Sequence, residues 1–209
     1  MEEDFSQLTI GVLALQGAFA EHVAVLRRLG AQAREVRVPG DLEALDGLII
    51  PGGESTTIGK LLEAFDLLAP LRRLVDDGLP IYGTCAGTIL LARDIGGLDQ
   101  PLLATMDLQV ERNAFGRQLQ SFETDLHIAP LGAETFRAIF IRAPAIRGVG
   151  PEVETLARLD DGTIVAARQG QLLASCFHPE LSGDDRFHRY FLQAVKQAAA
   201  RQPAAAGAL

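Results

Sequence analysis

The stretch LPIYGTCAGT, residues 79–88, decides how this chain is read. Pro80, Ile81 and Tyr82 read as the end of a buried strand, and Ile89, Leu90, Leu91 and Ala92 follow as a helical run. Between them Gly83, Thr84, Cys85, Ala86 and Gly87 are all small. A nucleophile carried on a sharp, strained turn between strand and helix needs such neighbours, because bulky ones would block its approach to a substrate. A helix starting there directs its N-terminal N–H groups at the sulfur and favours a thiolate. Taken alone, Cys85 also reads as a small buried hydrophobe, as most free cysteines are.

A second stretch far down the chain, Phe177-His178-Pro179-Glu180, supplies what the first lacks. A histidine titrates near neutrality, and an imidazolium beside sulfur favours the thiolate. Glu180 stands two residues beyond His178, with Pro179 stiffening the turn between them. A carboxylate at that spacing can hold the imidazole in the tautomer a base needs. The competing reading is a strand-ending histidine followed by a glutamate that leads the last helix. His22, His127 and His188 read as ordinary histidines: His22 and His188 fall in predicted helices among charged neighbours, and nothing in the sequence groups them. Four scattered histidines and two distant cysteines give no metal-ligand spacing.

Working outward, residues 8–15 form a continuous apolar run, the mark of a strand buried on both faces of a parallel sheet. Gln16 and Gly17 make a turn, and residues 18–29 carry apolar side chains at helical spacing up to Gly30. Residues 34–38 and 48–50 read as the next two strands, so the order is β-α-β, a short link, then β, the rhythm of a doubly wound α/β fold. The loop Pro51-Gly52-Gly53-Glu54-Ser55-Thr56-Thr57 follows the third strand directly. In such sheets ligands sit beyond the carboxyl ends of the strands, where both this loop and Cys85 fall. Glycine N–H groups there can stabilise an oxyanion. The loop also reads as a Pro-Gly turn with a Ser or Thr cap for a helix over residues 57–65. It lacks the Gly-Lys-Ser/Thr ending of a phosphate loop.

Further helices are expected over residues 67–77 and 187–199, and strands over 108–112, 118–122, 136–142, 156–159, 163–168 and 172–176. Asn113-Ala114-Phe115-Gly116 reads as a hairpin turn between two of these strands, and Asp160-Asp161-Gly162 as another turn. The expectation is one three-layer domain over residues 1–200, with a mixed, mainly parallel central sheet, and a frayed tail over 201–209.

Of the 209 residues, 48% are hydrophobic and 22% charged, ordinary for a globular protein, and the net charge of −8 argues against general affinity for nucleic acid or anionic membrane. Two cysteines are too few for a disulfide scaffold, the start Met-Glu-Glu-Asp is acidic where a signal peptide is basic, and the apolar run is too short to span a bilayer. The expected setting is the cytoplasm.

GTCAG with a downstream HPE resembles the glutaminase domains of class I glutamine amidotransferases, whose fold is flavodoxin-like. Within that family GVLALQGAFAEH (11–22), PGGESTT (51–57), YGTCAG (82–87), VERNAFGRQ (110–118), FIRAP (140–144), AARQG (166–170) and FHPEL (177–181) are most similar to the glutaminase subunits of pyridoxal 5′-phosphate synthases. The resemblance implies that Cys85 attacks the side-chain amide of L-glutamine, giving a γ-glutamyl thioester and ammonia. His178 would be the base and Glu180 its orienting partner. It implies an oxyanion hole from the backbone of Ala86 and Gly53, and glutamine contacts at Gly53, Glu54, Ser55, Arg112, Ile141 and Arg142. Without the resemblance, Arg112 and Arg142 read as surface or interface ion-pair residues. It implies a (β/α)8-barrel synthase partner that receives the ammonia and switches on a glutaminase weak by itself, with Gln16 a candidate for docking or oxyanion support. No cofactor or metal is implied for this chain, and Cys176 is expected only to fill the core. Thr88, the first seven residues and the Ala-rich tail depart from the family pattern without touching the proposed chemistry. Two other readings stay open: the same chemistry serving another synthase or a γ-glutamyl peptide, and a catalytically silent binding module.

Overall fold

The first apolar run becomes β1 (Thr9–Leu13), which is sealed from solvent beyond its first residue. The structure, a computed structural model, describes residues 3–115 and 121–201. After β1 come α1 (Phe19–Arg28), β2 (Gln32–Val36), β3 (Gly47–Ile50), α2 (Ser55–Ala64), α3 (Leu68–Asp76), β4 (Ile81–Thr84) and α4 (Ala86–Leu91). The second half adds β5 (Ala92–Asp94), β6 (Met106–Glu111), β7 (Ser121–Leu126), β8 (Phe136–Ile141), β9 (Ala145–Val149), β10 (Glu154–Arg158), β11 (Ile164–Gln169), β12 (Leu172–Ser175) and α5 (Arg186–Arg201). Ten strands join one sheet in the order β2-β1-β3-β4-β12-β11-β9-β6-β5, with β10 branching from β11. The run β2-β1-β3-β4-β12 is parallel throughout, and β11 turns the sheet antiparallel. This is the mixed, mostly parallel sheet expected from the sequence.

Alternation along β4 places the layers. Tyr82 stacks on Phe187 and meets Phe191 of α5, and Thr84 meets His22 of α1, so α1 and α5 cover one face. Gly83 points the other way, into α4. A Cβ on Gly83 would lie 2.6 Å from the Gly87 carbonyl carbon, and one on Gly87 would strike the Ile50 carbonyl. The small residues of the elbow are therefore what lets α4 fold back onto β3 and β4. On the α5 face Phe136, Phe177 and Phe187 pack ring to ring with centroids 5.3–5.9 Å apart, tying the two-stranded β7–β8 unit to the sheet.

Several expectations need correction. The cap of α2 is Glu54 rather than a serine or threonine, and its carboxylate accepts from the N–H groups of Thr56 and Thr57. The hairpin expected between strands at 108–112 and 118–122 is not made by their described residues. β6 pairs with β9 and β5, whereas β7 pairs with β8, Ser121 opposite Ile141. Alternation reports which face of a strand is buried, not its partner. Gly116 of that expected turn, residues 118–120 of the expected strand, and residues 202–209 of the expected tail lie outside the described residues; Arg201 closes α5. Within the first seven residues Phe5 is 1% exposed, and Lys196 of α5 donates to the Asp4 carbonyl.

Thr88 also touches the elbow. Its hydroxyl lies 2.7 Å from the Ser175 carbonyl oxygen and 3.1 Å from that of Gly83. Thr88→Val is expected to lower stability by about 1 kcal/mol. Gly87→Ala, which forces α4 off β3, is expected to cost about 1–3 kcal/mol. Urea unfolding checks both, and midpoints equal to wild type would contradict this packing.

Candidate active site

β12 lies parallel to β4 with Ser175 opposite Thr84. The residues leaving the two strands are then Cys85 and Cys176, and the chain beyond β12 brings His178 back over the elbow. The Cys85 N–H donates to the Ser175 carbonyl at 2.7 Å, which pins the turn to the neighbouring strand. Cys85 sits at φ 48° and ψ −101°. A non-glycine residue there is strained by about 1–3 kcal/mol, the mark of a position held for function.

The His178 N–H donates to the Ile139 carbonyl of β8 at 2.8 Å, and a 3₁₀ turn, Pro179–Leu181, then carries Glu180. His178 Nδ1 stands 2.7 Å from Glu180 Oε1. A carboxylate only accepts, so Nδ1 carries the proton and Nε2 is left for the sulfur. The imidazole also lies beside Cys85, which is one of the groups that raise its pKa. Both groups crowd one point above Gly52, where a Cβ would lie 2.5 Å from His178 Cε1 and 3.3 Å from Cys85 Cβ. Burial works against charge on His178, yet the neighbouring Cys85 and Glu180 outweigh it and raise its pKa to about 10. The site thus favours an imidazolium beside the sulfur. With α4 only six residues long, its end contributes little, and His178 is the main source of positive charge.

A cavity of about 300 Å³ opens beside the sulfur. Cys85, Ala86 and His178 line it, and so do Gln16, Gly53, Glu54, Ser55, Arg112, Ile141 and Arg142. Every site residue singled out in the sequence except Glu180, which lies behind His178, therefore meets at one place. β3 delivers the glycine loop, β6 ends just before Arg112, and β8 ends at Ile141. Arg142 turns into the cavity at φ 43°.

The rim is a hydrogen-bonded network. Arg112 Nη2 donates to Glu54 Oε1 at 3.0 Å, and its Nη1 reaches Thr56 Oγ1 and Gln100 Oε1, each at 3.1 Å. Slight burial opposes charge on Glu54, but hydrogen bonds from Thr57 and Thr56 and the Arg112 charge hold its pKa at about 2. Gln16 Oε1 accepts from the Glu54 N–H at 2.7 Å, and the Ala18 N–H donates to the Gly52 carbonyl at 3.0 Å. The turn after β1 thus clamps the glycine loop. Gln100, Ile89, Asn113 and Pro144 are not singled out as site residues in the sequence, although Asn113 follows Arg112 and Pro144 stands two residues beyond Arg142.

His22 and His188 lie on helices as expected, but the structure groups them. Both are fully buried, with His22 Nδ1 2.9 Å from His188 Nε2. His22 Nε2 lies 3.2 Å from Thr84 Oγ1 and 3.4 Å from Glu180 Oε2. Helical spacing put these histidines on α1 and α5, but it could not show that the two helices share a face of the sheet. Among the described residues no three His, Cys, Asp or Glu side chains form a group that could hold a metal ion, and no helix is long and apolar enough to cross a membrane.

A strained cysteine between strand and helix, at the carboxyl edge of a mostly parallel sheet, is the arrangement of the class I glutamine amidotransferase fold. A solved structure described as a glutamine amidotransferase superposes with a TM-score of 0.85 at 52% identity, covering 90% of this chain and 98% of that one. The PurLQS structure from Thermotoga maritima shares the fold alone, with a TM-score of 0.67 at 16% identity over 92% of this chain and 99% of that one. The chain belongs to the SNO glutamine amidotransferase family, whose profile matches residues 12–197. It is 58% identical over 187 residues to the pyridoxal 5′-phosphate synthase subunit PdxT of Roseiflexus sp. (strain RS-1), covering 88% of this chain and 99% of that protein. Its identity to the PdxT of Pelotomaculum thermopropionicum is 61% over 186 residues, covering 89% and 94%.

The buried pair has a consequence for pH. Burial first, and then nearby positive charge, holds His22 well below its ordinary value of 6.5, and burial lowers His188 to about 4. Depressed values give a stability contribution that is complete above pH 6.5 and is lost as pH falls toward 4. The loss of unfolding free energy between pH 6.5 and pH 4 is expected to be smaller in His188→Phe than in wild type. Equal losses in denaturant titrations would contradict neutral burial.

Proposed function

We propose that this chain hydrolyses L-glutamine to L-glutamate and ammonia through Cys85, His178 and Glu180. We propose also that the ammonia passes to a (β/α)8-barrel synthase subunit that makes pyridoxal 5′-phosphate in the cytoplasm. The observation that carries the reading is Cys85 and His178 lining one cavity, with His178 Nδ1 held 2.7 Å from Glu180 Oε1 and with Arg112 and Glu54 on the rim. The printed names of relatives at 58% and 61% identity support the choice of synthase.

The chemistry follows from the charges. The Cys85 thiolate attacks the amide carbon of glutamine, and the carbonyl oxygen becomes an oxyanion met by the N–H groups of Ala86 and Gly53. The His178 imidazolium gives its Nε2 proton to the departing nitrogen, ammonia leaves, and a γ-glutamyl thioester remains. Neutral His178 then takes a proton from water, and the resulting hydroxide attacks the thioester carbon. Collapse expels the thiolate, restoring the ion pair, and releases glutamate. Glu180 keeps the proton on Nδ1 throughout, so that Nε2 alone trades protons. An amino acid brings a carboxylate and an ammonium, for which the rim supplies the guanidinium groups of Arg112 and Arg142 and the carboxylate of Glu54.

Cys85→Ala is expected to abolish glutamate formation while leaving the circular dichroism spectrum unchanged. Glu180→Gln is expected to cut kcat about 10³–10⁴-fold, as loss of the orienting carboxylate does in comparable triads. A glutaminase assay with and without the barrel subunit tests the assignment. Activity that depends on that subunit is the expected result. Partner-free activity on γ-glutamyl peptides would replace the synthase assignment with a peptidase, and inactivity under both conditions would overturn the reaction.

A further inference from the structure

Glu180 presents a problem that the triad does not solve. Its carboxylate is fully buried, and only Oε1 is engaged by His178. Oε2 makes no hydrogen bond of ordinary geometry and faces His22 Nε2 at 3.4 Å. A buried carboxylate oxygen without a donor is costly, and it leaves one side of the group that accepts from His178 Nδ1–H unsupported.

We infer that His22 and His188 form a donor chain behind the triad, in which His188 Nε2–H donates to His22 Nδ1 and the N–H-bearing His22 Nε2, 3.2 Å from Thr84 Oγ1, presents its positive end to Glu180 Oε2 at 3.4 Å. On the premise that Cys85, His178 and Glu180 act as proposed above, His22 is a positioning residue: it holds Glu180 as an oriented carboxylate. The tautomers follow from the groups around the pair. From the 3₁₀ turn Glu180 offers only lone pairs, and from β4 the Thr84 hydroxyl lies 3.2 Å from the same nitrogen and can accept. A bare His22 Nε2 would set a lone pair against the carboxylate, so Nε2 carries the proton and Nδ1 is the acceptor. From α5, His188 Nε2 at 2.9 Å must then be the donor. This leaves His188 Nδ1 unprotonated, and it is this buried nitrogen that has no partner. The opposite assignment would bury an N–H there with no acceptor, the costlier defect. The remaining polar groups nearby are His178, Asp185 and Arg28, whose charges reach the two rings only from a distance, and the Tyr82 ring, which meets His188 edge-on with its hydroxyl on Ser175 Oγ.

Nitrogen-15 NMR of the imidazole rings in the wild-type full chain reads the tautomers directly, without any turnover. Both His22 and His188 are expected to be neutral between pH 6 and pH 8 with the proton on Nε2. A proton on His22 Nδ1, or a charged His22, would overturn the inference even if glutamine hydrolysis is confirmed. If no hydrolysis is found, the tautomers still decide the donor chain while the reaction fails separately. Kinetics with the synthase partner supply the second arm. His22→Leu is expected to lower kcat about tenfold or more with KM within about twofold, and His22→Gln, which restores an N–H toward Glu180, to recover most of it. Full kcat in His22→Leu, or equal loss in both folded variants, would overturn the positioning role. Should His22→Leu fail to fold, the wild-type tautomers decide alone.

Discussion

The pairing of β4 with β12 in parallel, Ser175 opposite Thr84, is the constraint on which the site depends. These strands are far apart along the chain, and only their register brings a sulfur and an imidazole together. The same pairing provides the Ser175 carbonyl, which accepts from the Cys85 N–H and lies within reach of the Thr88 hydroxyl. A slip of one residue would turn Tyr82 and Thr84 away from α1 and α5 and send Gly83 into them. The fold could not keep its helices packed and misplace Cys85 and His178 at once.

Strain and close packing meet at the elbow. Cys85 is held at positive φ because its neighbours leave it no relaxed alternative: β12 fixes its N–H, and α4 begins at once and presses on Ile50 through Gly87. Behind this rigid corner the polar groups run from Cys85 to His178 and Glu180 and on to His22 and His188, drawn from four segments of the chain. A buried polar line of this kind is stable only when nearly every member finds a partner, which ties the arrangement of α1 and α5 to the chemistry at the other end.

How much of this was legible in the sequence depended on the range of the signal. Buried parallel strands read as unbroken apolar runs, so β1, β3 and β4 could be placed from local composition, and the small residues around Cys85 announced the elbow. Cys85, His178 and Glu180 could be paired because thiol, imidazole and carboxylate have complementary roles. Partners chosen at long range were not legible. The alternation in β6 and β7 suggested a hairpin, but each strand pairs elsewhere. Gln100 lies in a loop with no pattern of its own, yet it organises Arg112, Thr56 and Ser55. The two histidines looked ordinary because charged neighbours on the outer faces of α1 and α5 masked how deeply their inner faces are buried.

The most direct measurement is to treat the complex of this chain and the proposed synthase partner with an electrophilic glutamine analogue and to locate the adduct by peptide mass spectrometry. The account predicts one adduct, on Cys85, that disappears in His178→Ala. It also predicts that Cys176, fully buried and with its thiol pushed up by that burial, stays unlabelled. Labelling at Cys176, or undiminished labelling of Cys85 without the imidazole, would contradict it.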